Sequence, residues 1–113
     1  MTIELPDEVH EGIETIAKHA RAEEIILFGS RARGDHHEDS DWDLLIIVPD
    51  GADTSRVSRG ALMELTRHTG IEPHPVRRST FERRKHWLAS LSRTAIEEGV
   101  SVWRPADLMT LAE

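Results

Sequence analysis

An α/β fold, a short mixed β-sheet with helices packed against it, is predicted by two features of this chain. Short apolar runs of strand length alternate with segments whose apolar residues recur at helical spacing. Glycine or proline closes each run, at Gly29, at Pro49-Asp50-Gly51, at Gly70 and at Gly99. A chain of 113 residues has room for one modest core, so residues 1–104 read as a single domain and 105–113 as a short tail.

The elements follow in order. Pro6 and Asp7 suit a first helical turn, and Val9, Ile13, Ile16, Ala17 and Ala20 share one face of the helix that follows. Ile25 to Phe28 is a buried strand stopped by Gly29, with a short helix beginning at Ser30. Asp41 to Val48 is the strongest strand, apolar and β-branched after its opening acids. Val57, Ala61, Leu62 and Leu65 mark a helix that starts near Asp53 or Thr54 and stops at Gly70. A third strand begins at Ile71, and its two prolines confine it to a sheet edge. Ser79 and Glu82 fit a capping box for a last helix carrying Phe81, Leu88, Leu91 and Ala95 on one face up to Gly99, and Val100 to Trp103 is a final strand.

Composition narrows the chemistry. No cysteine is present, so thiolate nucleophiles and thiolate metal sites are excluded. The acidic N-terminus does not resemble a secretory signal, and no apolar run approaches the roughly 20 residues of a membrane span, so a cytoplasmic protein is expected. A formal charge of −7 argues against broad binding to nucleic acid, which is therefore not expected as a direct substrate. The charges are segregated: Asp35 to Asp43 holds five carboxylates, and Arg77 to Arg93 holds six basic residues against Glu82 alone. Such runs are usually solvated faces.

Two motifs carry chemistry when taken together. In Phe28-Gly29-Ser30-Arg31-Ala32-Arg33-Gly34 a strand runs through a glycine into a helix start, where free amides and the helix dipole favour an anion. Taken alone, this reads first as a plain strand-to-helix turn with Ser30 as its cap. In Ser40-Asp41-Trp42-Asp43-Leu44-Leu45, strand alternation sends Asp41 and Asp43 to one face, with Cα atoms roughly 6.5 to 7 Å apart, and Trp42 to the other. Two like charges side by side call for a cation between them, and hard oxygen ligands suit Mg²⁺. Such a pair can hold two divalent ions for phosphoryl or nucleotidyl transfer.

The Gly-Ser turn followed by Asp-x-Asp resembles the signature of the minimal nucleotidyltransferases of the DNA polymerase β superfamily. The motif covers about Ile25 to Val48, and the later order of elements fits that family's nucleotidyltransferase fold through Trp103. The resemblance implies that Gly29 and Ser30 hold the phosphates of ATP and that Asp41 and Asp43 bind two Mg²⁺ ions, while Arg31 and Arg33, by their position beside the turn, either join the nucleotide site by meeting phosphates or face water. The family's third carboxylate sits on the next strand, where Glu72 is the acid in Ile71-Glu72-Pro73-His74-Pro75-Val76. That strand departs from the family's apolar pattern, leaving open a site of two carboxylates.

The resemblance further implies transfer of AMP to a hydroxyl, on a tyrosine of a HEPN-domain toxin for which this chain serves as antitoxin. A non-catalytic module that neutralises a toxin by contact is the alternative. An RNA-binding face over Arg77 to Arg93 ranks third, since only Phe81 and Trp87 offer stacking surfaces there. His36 and His37 read as solvated loop residues.

Overall fold

A computed structural model describes residues 3–105. Four strands form one mixed sheet in the order β3-β2-β1-β4. These are β1 (Glu24–Phe28), β2 (Trp42–Val48), β3 (Ile71–Arg77) and β4 (Val100–Trp103). β2 runs antiparallel to β1 and parallel to β3, while β4 pairs antiparallel with β1. The proline-bearing β3 stands at the edge, where a residue without an N–H interrupts no ladder. Of the tail expected over 105–113, all but residue 105 lies outside the described residues.

The two faces of the sheet bury different partners. Leu27, Leu44, Ile46 and Val48 share a core with Val9, Ile13, Ile16, Ala17 and Ala20 of α1 (Asp7–Ala20). Acids at Asp7 and Glu8 and bases at Lys18 and His19 complement the dipole of that helix. Trp42 joins this core, on the side opposite Asp43, as strand alternation requires. On the other face, Ile26, Phe28, Leu45 and Ile47 pack with Phe81 and Ala95. Each fully buried aliphatic side chain is worth about 1.5–3 kcal/mol, so β2, buried on both faces, anchors the domain.

Both later helices differ from expectation. The helix expected from Asp53 to Gly70 is split into α3 (Thr54–Val57) and α4 (Arg59–Leu65). Ser58 is the cause: its backbone is extended at φ −66° and ψ 154°, and its side chain accepts a hydrogen bond from the Ala61 amide, restarting the helix. Leu65, expected inside, is exposed. Gly70 does adopt a positive φ, but five residues beyond the helix end. The helix expected from Ser79 to Gly99 is likewise two: α5 (Arg78–Arg84) and α6 (Leu91–Glu98). Ser90 caps α6 by accepting from the Arg93 amide, and Leu88, in the linking turns, is 86% exposed. The capping box is not formed, because Glu82 pairs with Arg78 and Lys85.

The start of α5 is held instead by Asp50, whose carboxylate accepts from the Ser79 amide at 2.9 Å. That hydrogen bond, with Arg77 and Arg78 nearby, holds the Asp50 carboxyl below its ordinary value. Ionised Asp50 therefore stabilises the fold above the ordinary carboxylate pKa, and the contribution is lost as pH falls through the depressed value. Asp50→Ala is expected to lower the melting temperature at neutral pH and to change little in strong acid. Melting curves at the two pH values check this, and equal losses at both would contradict it.

Candidate active site

The site forms where β1 ends beside the start of β2, on the face covered by α5 and α6. Phe28, the last residue of β1, is paired with Asp43. The next residue, Gly29, has φ 78° and ψ −160°, a conformation open in practice only to glycine. It turns the chain into α2 (Ser30–Arg33), whose first amides have no carbonyl within the helix to bond. A Cβ built on Gly29 would lie 2.5 Å from Asp43 Oδ2, so the turn rests directly on this carboxylate. The expected juxtaposition of glycine turn and acidic strand is present.

The acids differ in environment. Asp43 is in β2 and its side chain is 30% exposed, with His74 Nε2 3.5 Å from its Oδ1. His74 in turn stacks obliquely on Phe28, ring centroids 5.5 Å apart. Asp41 lies one residue outside β2 and is exposed. Glu72 sits beside Asp43 in the parallel register of β3, the position expected of a third acid, but its carboxylate pairs with Arg59 at the head of α4. Among the described residues no group of three or more acids, histidines or cysteines converges tightly enough to hold a metal. The physical reason is local: Asp41 is off the strand, and Arg59 already neutralises Glu72.

The chemistry of the remaining donors still suits Mg²⁺. Asp41 and Asp43 offer carboxylate oxygens from either side of Trp42, and Mg²⁺ is usually bound through one or two carboxylates, with water and substrate phosphate completing its shell. Glu72 would join them only by leaving Arg59.

Arg31 and Arg33 both hold protein groups. The Arg31 guanidinium lies 4.4 Å over the Trp42 ring and donates to the carbonyls of Glu38 and Ser40 at 2.8 and 3.0 Å. It thereby fixes the acidic loop immediately before Asp41, helped by Ser40 Oγ, which accepts from the His37 amide. Arg33 bonds to Asp35 and to both oxygens of Glu98, and these partners, Asp35 first, raise its pKa. Contact of either arginine with phosphate would require it to leave these partners. His36 and His37 are exposed in the loop.

Glu98 belongs to this site and gave no signal in the sequence. It is a glutamate in the last turn of α6, and its partner, the Gly29 amide, is 69 residues away. Arg77 and Arg78 also find internal partners: Arg77 donates to the Asp50 and Ala52 carbonyls and to Thr54, and Arg78 pairs with Glu23 and Glu82. The start of the basic run is thus built into the fold, which weakens the RNA-binding reading.

Two cavities frame the choice of site. One of about 450 Å³, lined by His19, Arg21, Pro49 and Arg56 among others, lies at the far end of β2 from Asp43. Another of about 310 Å³ opens on the Asp43 face and is lined by Leu45, His74, Val76, Arg84, Trp87 and Leu91 among others. His74 connects this second cavity to Asp43. Trp87 and Leu91, which line it, and the nearby Leu88 are all at least half exposed.

Comparison with known proteins bears on the family and the fold. A stretch of 46 residues is 50% identical to a Methanocaldococcus jannaschii protein that carries the provisional name of protein adenylyltransferase. That stretch is 41% of this chain and spans just under half (46%) of the relative. Two crystal structures of toxin–antitoxin complexes share the fold. One, with AMP-PNP, has a TM-score of 0.58 at 22% identity, covering 94% of this chain and 80% of the other. The second is the MntA–HpeT complex, carrying two aspartate-to-glutamate substitutions two positions apart. Its TM-score is 0.57 at 20% identity, with the same coverage. The family model described as the nucleotidyltransferase domain matches residues 9–102, nearly the whole described fold, and the chain belongs to that family.

Proposed function

We propose that this chain transfers AMP from ATP to a hydroxyl of a partner protein, a tyrosine of a HEPN-domain toxin, and acts as its antitoxin. The observation that carries the reading is the close seating of the Gly29 turn against the Asp43 carboxylate, which supports an anion-binding role for the bend and a cation-binding role for the acid. The acceptor oxygen forms a bond to the α-phosphorus, the bond to pyrophosphate breaks, and the hydroxyl proton is released. Positioning and charge neutralisation carry most of such a reaction.

In this reading the turn at Gly29 and Ser30 meets the phosphates through the Ser30 amide and hydroxyl, since the Gly29 amide is held by Glu98, while Asp41 and Asp43 hold two Mg²⁺ ions, which would offset the charge of the triphosphate when bound. Arg31 and Arg33 keep the turn and the acidic loop in place around the nucleotide. Glu72 is the reserve third ligand, available if Arg59 is drawn away. The cavity beside His74 is the space for an aromatic acceptor, and exposed Trp87, Leu88 and Leu91 are the surface on which the partner docks. The name of the archaeal relative and the nature of the two complexes support the choice of reaction and partner.

A second reading, neutralisation by binding alone, is favoured by the Arg59–Glu72 pair and the unassembled third ligand. One experiment separates the two. The chain is purified with the protein encoded beside it, Mg²⁺ and each nucleoside triphosphate are added in turn, and the partner's intact mass is measured. An AMP adduct on the partner is expected with ATP. Complex formation without an adduct from any nucleotide would leave the binding module standing.

A further inference from the structure

Glu98 bonds to the glycine turn from the end of α6. Its Oε1 accepts the Gly29 amide at 3.0 Å, and the same carboxylate receives Arg33 Nη1 at 3.0 and 3.2 Å. One side chain thus grips the turn at its first amide and at the last residue of α2. A helix of four residues cannot hold itself, since it closes too few hydrogen bonds to offset the ordering of its backbone. Its geometry must be imposed from outside, and Glu98 is placed to do so.

The reach of Glu98 depends on Gly99. A Cβ at that position would collide with the Ala95 carbonyl and with Ile26, so glycine lets the end of α6 lie flat on β1. The carboxylate is three-quarters covered, which strengthens its bonds to Gly29 and Arg33. By taking up the Gly29 amide it orients that peptide plane, while the Ser30 and Arg31 amides stay directed away from the helix. By pairing with Arg33 it also cancels its own charge, which would otherwise repel an incoming anion.

We infer that Glu98 is a positioning residue that fixes the Gly29–Ser30 turn in its phosphate-accepting shape through the Gly29 amide. The inference rests on the reading that this turn takes the triphosphate. Glu98→Gln keeps an oxygen for the Gly29 amide and gives up the charge, whereas Glu98→Ala gives up both.

The test measures ATP binding with Mg²⁺ by calorimetry, together with the Gly29 amide proton shift and the melting temperature of each variant. Glu98→Ala is expected to weaken ATP about tenfold, the scale of one hydrogen bond to a charged group. It should also move the Gly29 amide signal upfield, while Glu98→Gln stays within about threefold of wild type and keeps the signal. A merely structural role would lower the melting temperature of both variants and leave the rescue unseen. Wild-type affinity in Glu98→Ala, or equal weakening in Glu98→Gln with the amide bond intact, would overturn the inference. If Glu98→Ala does not fold, Glu98→Met, which fills the same space without an oxygen acceptor, takes its place under the same criteria. Failure of the wild type to bind any triphosphate is a separate outcome that removes the underlying reading as well.

Discussion

Asp43→Asn is expected to reduce nucleotide transfer roughly a hundred- to a thousandfold, the scale seen when one element of preorganised charge stabilisation is removed. Asparagine keeps the size and outline of the side chain, so it fills the same space against Gly29 and leaves the packing of β2 undisturbed. What it removes is the negative charge that, in the proposed function, would hold a divalent cation next to the turn. The melting temperature should stay near that of wild type, because Asp43 contributes little to the core and its side chain has His74 as its neighbour at 3.5 Å. Initial rates of pyrophosphate release in the presence of the partner protein give the measurement. An unchanged rate would remove Asp43, and with it the strand-borne acid, from the chemistry.

Gly29→Ala is expected to damage both stability and nucleotide binding. The backbone strain at φ 78° and ψ −160° costs of order 1–3 kcal/mol for a residue with a Cβ. The new methyl also enters the space of the Asp43 carboxylate, so either the turn or the acid must move. Relief by moving Asp43 would spoil the donor set, and relief by moving the turn would break the Gly29 bond to Glu98. Urea unfolding and an ATP titration on the same sample are expected to show both losses. Wild-type behaviour in both would mean that the turn has slack the structure does not contain.

The contrast between these two residues and Glu98 explains what was legible in the chain. Asp43 and Gly29 are readable because each acts through a local rule: alternation along a strand, and a backbone conformation that demands glycine. The strands were legible for the same reason, since their apolar runs are short and sharply punctuated. Ser58 and Ser90 were not, because a serine within an apolar helical pattern reads as a surface residue until its backbone is seen to be extended. Leu65 and Leu88 matched a helical face that the split helices do not present. Glu98 acts through partners distant in sequence, Gly29 and Arg33, while Arg31 and Arg59 act through nearer partners outside their own helices, and a single chain gives no means of pairing them.

Pro73 and Pro75 occupy alternate positions of the edge strand, and alternate positions direct their backbone toward the same side. Since β3 is laddered to β2 on its inner side, the two missing donors fall on the outer one. A strand arriving from another molecule would find no amide at two successive bonding sites, so polymerisation through that margin is opposed at its first step. The opposite margin, β4, offers only four residues. Assembly with a second protein is thereby steered away from strand addition and toward side-chain surfaces such as the one around Trp87.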